Sequence, residues 1–196
     1  MALRQNGIMD RFAVIFIVAC WVVAFGFIYL RAVLGTKRTV ERVRWWWRIP
    51  LLVIAVIVIR LLPGLGPHSG VVFWRRSPPE EIAADAISFL GLVVAIWART
   101  VLGGNWSVGV AFKARHELIQ RGPYRYVRHP LYSGILLLAL GLAIWFGNLT
   151  GVAIFAVMFL GFWIRSRQEE KLLTRHFPLD YPEYKRRTKA LIPFVF

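Results

Sequence analysis

The sequence predicts an all-α integral membrane protein with about five transmembrane helices and a cytoplasmic C-terminal helical segment. Three observations carry that prediction. Of the 196 residues, 58% are hydrophobic, against ~45–50% in soluble domains, and they come in blocks. The basic residues and the run Trp45-Trp46-Trp47 gather at the ends of those blocks, where aromatic and cationic side chains meet a membrane interface. Two dense polar motifs lie on either side of a pair of apolar segments, and a hairpin through the membrane returns both motifs to one face.

Phe12–Leu30 is the first span, long enough for a hydrocarbon core of ~30 Å. Trp45–Leu62 is the second, with Trp45, Trp46 and Trp47 as an interfacial belt at one end. Ile87–Val101 is the third and weakest; its apolar core is short, and its start falls between Ile82 and Ile87. Leu131–Phe146 and Leu149–Ile164 form a final hairpin around a Gly147-Asn148 break, each expected to run beyond these limits. The chain reads as one domain, 1–196, with three N-terminal spans in 1–101 and a ligand-binding part in 102–196. Gly64–Pro79 reads as a loop from its Gly and Pro content.

Charge orients the spans. Residues 31–48 hold six basic side chains and one acidic, residues 63–86 two and three, residues 102–130 five and one, and residues 165–196 eight and four. The excess of Lys and Arg assigns the first, third and fourth of these to the cytoplasm, which puts the amino terminus outside and the carboxyl terminus inside. The expected location is a bacterial inner membrane. The net charge of +15 therefore reads as membrane-flanking charge, and no nucleic-acid partner is expected. The single Cys20 lies in an apolar run and is assigned to packing; it excludes an intramolecular disulfide. His68, His116, His129 and His176 lack the close spacing of a metal motif, so no metal site is expected.

The first polar motif is Arg128-His129-Pro130-Leu131-Tyr132-Ser133-Gly134. Pro130 suits a first helical turn, where its missing N–H costs nothing. The free N–H groups of that turn and the helix dipole, with Arg128 and His129 just before them, make a site for a carboxylate or phosphate. Gly134 permits a close approach to the helix. Taken singly, Arg128 also fits an interfacial anchor and Tyr132 an interfacial aromatic.

The second motif follows the last span. A helix over 149–176 is about 42 Å long at ~1.5 Å per residue and projects two or three turns past the membrane. It carries Glu169 and Glu170, of which at most one need face a pocket. Pairing of Arg165 with Glu169 four residues on accounts for one of them without any function. Phe177-Pro178 ends the helix. Asp180 and Glu183 suit a capping box for a short helix over 181–189, on which Lys185 and Lys189 fit contacts to anionic lipid.

Together, His116-Glu117-Leu118-Ile119, the run Gly122-Pro123-Tyr124-Arg125-Tyr126-Val127-Arg128-His129-Pro130-Leu131-Tyr132-Ser133-Gly134, Glu169-Glu170, Phe177, Tyr181, Tyr184 and Arg187 resemble the isoprenylcysteine carboxyl methyltransferase family. The related phospholipid N-methyltransferases share the Arg-His-Pro and Glu-Glu elements. The resemblance covers roughly residues 102–196; Pro178 stands where the family often has Gly. It implies an integral-membrane methyltransferase that uses S-adenosylmethionine. His116, Leu118, Gly122, Tyr124, Arg128, His129, Tyr132 and Gly134 would hold that cofactor, completed by Glu170 with Glu169. Arg187 and Tyr184 would face the reacting centre, with Glu170 beside them. The implied acceptor is amphipathic or lipid-modified and enters from the surrounding membrane lipids, with a carboxylate as the methylated group. A nicotinamide-dependent membrane reductase, a phospholipid N-methyltransferase and a non-enzymatic scaffold are the competing readings.

Overall fold

A computed structural model describes residues 2–34, 39–43, 72–74, 77–103, 110–113 and 118–192. Within them the elements are α1 (Ala2–Leu34), β1 (Thr39–Val43), α2 (Pro78–Leu102), β2 (Val110–Lys113), a 3-10 turn (Gly122–Arg125), α3 (Pro130–Phe146), α4 (Leu149–His176) and α5 (Asp180–Arg187). Arg11–Leu34 of α1, α2 and α4 are long and apolar enough to cross a membrane, and α3 is a shorter apolar helix. The expected span Trp45–Leu62 lies outside the described residues.

The third segment is longer than its apolar core indicates. Pro78 and Pro79 occupy the first turn of α2, Glu80 and Glu81 sit at its positive dipole end, and the Ser77 hydroxyl donates to Glu80. These polar residues start the helix nine positions before the apolar run. Arg99, near its other end, is buried and donates to the Gly103 carbonyl at 2.8 Å. The fourth segment, in contrast, does not run on. Helix α3 keeps 17 residues, about 25 Å. It packs on α1, α2 and α4, and more than half of its side chains are buried in protein, so lipid thickness does not set its length.

The most extensive helix interface joins α2 to α3, and small residues make it possible. Ala84, Ser88, Gly91, Ala95 and Ala98 repeat at alternating steps of four and three along α2 and are buried. Gly134 and Gly141, seven residues apart on α3, face them. A Cβ on Gly134 would stand 2.6 Å from the Ala95 nitrogen, and one on Gly141 2.1 Å from the Ser88 hydroxyl. Between apolar helices in lipid, where the hydrophobic effect gives no net attraction, such backbone proximity supplies the packing contact. Cys20 is buried with Ala24 and Leu138 where α1 joins this layer, as its sequence context indicates.

The α3–α4 turn follows its sequence closely. Gly147 takes φ +61°, the left-handed conformation glycine reaches without strain. Asn148 Oδ1 accepts from the Thr150 and Gly151 amides at 3.0 and 3.1 Å, satisfying two orphan donors of α4. Phe73 and Trp74, just before α2, donate backbone N–H groups to the Gly147 carbonyl, so this turn and the start of α2 share one end of the molecule.

The opposite end gathers the three basic regions. β1 and β2 form an antiparallel pair in the register Val43↔Val110 to Thr39↔Lys113, a small ribbon that the expected all-α fold did not include. Residues 189–191 dock along the approach to α3: Arg128 and His129 donate N–H groups to the Lys189 and Ala190 carbonyls at 2.8 and 3.0 Å, and the Ser133 hydroxyl donates to the Leu191 carbonyl at 2.5 Å. The apolar stretch of α4 ends at Ile164, and the last three turns project into this same end.

Candidate functional site

At that end the two polar motifs meet. Arg128, in the strand-like approach to α3, donates Nε–H to Glu170 Oε1 at 2.8 Å. Its Nη1 group donates to the Lys185 carbonyl at 3.2 Å and to the Thr188 carbonyl. Lys185, on α5, ion-pairs with the other Glu170 oxygen at 2.8 Å. Glu169 turns the other way. It accepts from the Tyr132 hydroxyl at 2.5 Å and lies 3.4 Å from Arg165, whose Nε–H also donates to the Tyr132 oxygen.

His129 bridges the halves, with Nδ1 3.4 Å from Glu169 and Nε2 3.7 Å from Glu170. The second distance is beyond hydrogen-bond reach, and Nε2 is buried without a hydrogen-bond partner among the described residues. The His129 ring stacks on Tyr132, with centroids 5.5 Å apart, and Tyr132 stacks in turn on Phe162 at 4.8 Å.

Both glutamates face the cluster, where at most one was expected. Adjacent residues diverge by about 100° around a helix, but α3 approaches α4 on the Glu169 side while Arg128 and Lys185 close on the Glu170 side. Arg128 and His129, expected before α3 to meet the anion of a ligand, have the protein's own carboxylates as neighbours.

The electrostatics follow from this enclosure. Burial raises the Glu170 carboxyl, but His129, Lys185 and Arg128 outweigh it and hold the group far below the usual carboxylate range. Glu169 is likewise lowered: burial opposes ionisation, and His129, Arg165 and Tyr132 favour it more strongly. Burial lowers the His129 imidazole, yet the two facing carboxylates raise it overall. Burial pushes the Tyr184 phenol well up, so it stays a neutral donor.

Arg128, His129, Tyr132, Glu169 and Glu170 thus come together as one cluster. Other nominated residues stand around it. Tyr124 is buried, its hydroxyl 3.4 Å from the Ala98 carbonyl. Tyr184 is buried and donates to the Tyr124 carbonyl at 2.7 Å, pinning α5 to the 3-10 turn. Gly122 takes φ +61°, and a Cβ there would lie 3.0 Å from Val101. The close approach that Gly134 permits is to the α2 backbone. Leu118 is half-buried in the loop before the turn. Arg187 is exposed, its side chain at 65%, and pairs with Glu183 four residues earlier. His116 lies outside the described residues.

The sequence reading did not nominate Arg165 or Lys185. Arg165 had a signal, its i,i+4 relation to Glu169, which read as simple pairing. Lys185 had none, because its role depends on how α5 folds back on α4. Helix α5 itself spans Asp180–Arg187 instead of 181–189. Tyr181 N–H bonds the Phe177 carbonyl and winds the chain one residue early, so Asp180 lies in the first turn and makes no side-chain cap. Thr188 turns extended to enter the docked segment.

Fold and site together define a helical membrane protein with a buried, mixed-charge cluster at one membrane-interface end. Comparison with known proteins gives this class its family. The profile of the phospholipid methyltransferase family matches residues 80–180, just over half of the chain, and the chain belongs to that family. A probable protein-S-isoprenylcysteine O-methyltransferase of Oryza sativa subsp. indica is 31% identical over 56% of this chain and 62% of its own length. The nickel-cobalt-cadmium resistance protein NccN of Alcaligenes xylosoxydans xylosoxydans is 32% identical over 75% of this chain and 62% of its own length. The chain therefore spans under two thirds of the length of these curated relatives. A solved eukaryotic intramembrane Ras methyltransferase, isoprenylcysteine carboxyl methyltransferase, has the same fold, with a TM-score of 0.55 at 20% identity over 80% of this chain and 55% of that one.

Proposed function

We propose that this protein is an S-adenosylmethionine-dependent integral-membrane methyltransferase that methylates a carboxylate on a lipidic or lipid-modified acceptor. The observation that carries the reading is the joining of Arg128, His129 and Tyr132 to Glu169 and Glu170 in one buried cluster. Membership of the phospholipid methyltransferase family and the isoprenylcysteine methyltransferase relatives support it.

The residues present fit the donor. An amino-acid tail carries both signs of charge, and the cluster offers both: Glu169 and Glu170 for an ammonium, His129 Nε2 and Arg128 for a carboxylate. The unpartnered buried Nε2 is a donor or acceptor in need of a partner, which costs about 1–3 kcal/mol while unmet. The ring of Tyr132 presents a π face to a sulfonium cation. The bound donor would supply an electrophilic methyl group.

The chain's own residues then hold, orient and exclude water. A carboxylate acceptor is ionised at neutral pH and requires no general base, so the rate rests on alignment and loss of water. The exposed apolar faces of α1, α2 and α4 leave lateral access for an acceptor's lipid tail. In this reading Arg187 and Tyr184 serve the acceptor, and His116 is assigned to the donor by the family resemblance alone. We assign the cluster to the cytoplasmic side of a bacterial inner membrane, with the amino terminus outside, on the excess of Lys and Arg at that end.

Calorimetry of S-adenosylmethionine with detergent-purified protein tests the donor. Saturable binding, weakened by Glu170→Ala and His129→Ala, is expected; absence of binding in folded protein, or binding of a nicotinamide nucleotide instead, refutes the reading. The family match favours one alternative, an amine of a phospholipid as acceptor, which must lose a proton before it can take the methyl group. Methyl transfer to a prenylated cysteine analogue and not to phosphatidylethanolamine separates the two.

A further inference from the structure

On the outer side of Glu170 lies a cavity of about 310 Å³ lined by Arg167, Glu170, Lys171, Thr174, Arg175 and Lys185. Four of its six walls are cations. Its one carboxylate, Glu170, is already neutralised from within by Arg128 at 2.8 Å. Arg167, Lys171 and Arg175 stand at i, i+4 and i+8 on α4. Like charges four residues apart on a helix repel. Among the described residues neither Lys171 nor Arg175 has a carboxylate partner to relieve this. Arg167 lies over the Trp163 ring, 4.0 Å from its centroid, which holds the guanidinium beside the membrane surface. Thr174 donates its hydroxyl to the Glu170 carbonyl at 2.8 Å, so its oxygen can still accept but its proton is committed.

Depth narrows the ligand. Arg167, Lys171 and Arg175 lie three, seven and eleven residues past Ile164, about 5, 10 and 16 Å along the helix. The headgroup layer occupies roughly 5–8 Å on each side of the hydrocarbon core. The cavity therefore begins at the depth of lipid headgroups, at Arg167, and extends beyond it into the aqueous side, and its size is at the lower end of ligand sites, about 300–1,000 Å³.

We propose that this cavity is an anion site that binds a phosphate group, with Lys171 and Arg175 as its chief ligands and Arg167 and Lys185 at its rim. Lys185 is shared with Glu170, so an occupant sits one side chain away from the mixed-charge cluster. The site does not rest on the methyl donor or acceptor, and it is tested without either.

Phosphatidylglycerol is a suitable probe because it carries a phosphodiester and no amine. Its affinity for detergent-solubilised protein, measured by native mass spectrometry against a neutral diacylglycerol with the same chains, reads the site directly. The double variant Lys171→Ala/Arg175→Ala removes two exposed cations outside the cluster. Phosphatidylglycerol binding is expected to fall about thirty-fold, from losses of about 1 kcal/mol per basic residue, with thermal stability retained. Competition by millimolar inorganic phosphate would support the site and identify a free phosphate as sufficient. No such competition, with the thirty-fold loss intact, would support it with lipid as the source. Equal binding by parent and double variant overturns the proposal, as does displacement of the lipid by S-adenosylmethionine, which would assign the cavity to the donor.

Discussion

Glu170→Ala is the substitution that most directly tests the cluster. Glu170 is buried and meets Arg128 and Lys185, each at 2.8 Å, with His129 Nε2 at 3.7 Å. Breaking a buried ion pair by deleting one partner costs about 3–5 kcal/mol, because the other charge is left without compensation. Two features reduce the value here. The Lys185 side chain is 45% exposed and can return to water, so its half of the interaction is worth little. Arg128 keeps the Lys185 and Thr188 carbonyls as acceptors. The net expectation is about 3 kcal/mol for Glu170→Ala and about half of that for Glu170→Gln, whose amide oxygen still accepts from Arg128. Thermal unfolding in detergent measures both, and the cycle with Arg128→Ala should return a coupling of about 1–3 kcal/mol. If Glu170→Ala unfolds with the parent, or the two substitutions add without coupling, the Arg128–Glu170 pair does not hold the two motifs together and the reasoning fails.

The cluster also fixes a pH dependence. Glu169 and Glu170 are held below their usual range, so the stability they contribute is present above pH ~4.3 and is lost as pH falls through their folded values. His129 is raised, so its contribution is complete below pH ~6.5 and is lost as pH rises through its folded value; melting temperatures between pH 3 and 9 should peak between those limits, and His129→Gln should remove the alkaline decline. Gly141→Ala puts a methyl group 2.1 Å from the Ser88 hydroxyl and 2.7 Å from the Ala84 carbonyl, and the forced separation of α2 from α3 should cost about 1–3 kcal/mol, read as a lowered melting temperature that Ser88→Gly partly restores. Arg187→Ala removes an exposed side chain paired only within α5, so stability should change by less than about 0.5 kcal/mol, while methyl transfer should fall if the residue meets the acceptor; unchanged turnover would remove Arg187 from the site.

What the sequence made legible is local. The Gly147-Asn148 break, the extent of α4 from Leu149 to His176 and the stop at Phe177 all follow from residues that act on their own neighbours through left-handed φ, side-chain capping and a following proline. The limits of α2 and α3 were less legible. Apolar content marks what lipid surrounds, but α2 begins in a polar first turn, and α3 is short because protein surrounds it. The motifs Arg128-His129 and Glu169-Glu170 were legible as members of a site, since scarce acidic residues in a basic chain need partners. Their connections were not: that residues 189–191 dock beside Arg128, and that Lys185 returns to Glu170, depends on contacts about sixty and fifteen residues apart that leave no periodic trace.

The arrangement also explains how so polar a cluster survives against a membrane. A lone buried carboxylate would protonate, and a lone buried guanidinium would be expelled to water. Here each charge is placed against its opposite: Glu170 against Arg128, Glu169 against Arg165 through the shared Tyr132 hydroxyl, and His129 between the two acids. Under the proposed function, a zwitterionic donor enters such a site by exchange, its ammonium replacing one cation at a carboxylate and its carboxylate replacing one glutamate at a cation. Desolvation has then been met during folding, and binding need only trade partners. Exchange of this kind, under the proposed function, makes the internal pairs a preorganised stand-in for the donor's own charges. It also explains why the partners of Glu170 come from different elements: Arg128 from the approach to α3 and Lys185 from α5, against Glu170 on α4. Partners on separate elements can yield to a ligand without unwinding any one of them.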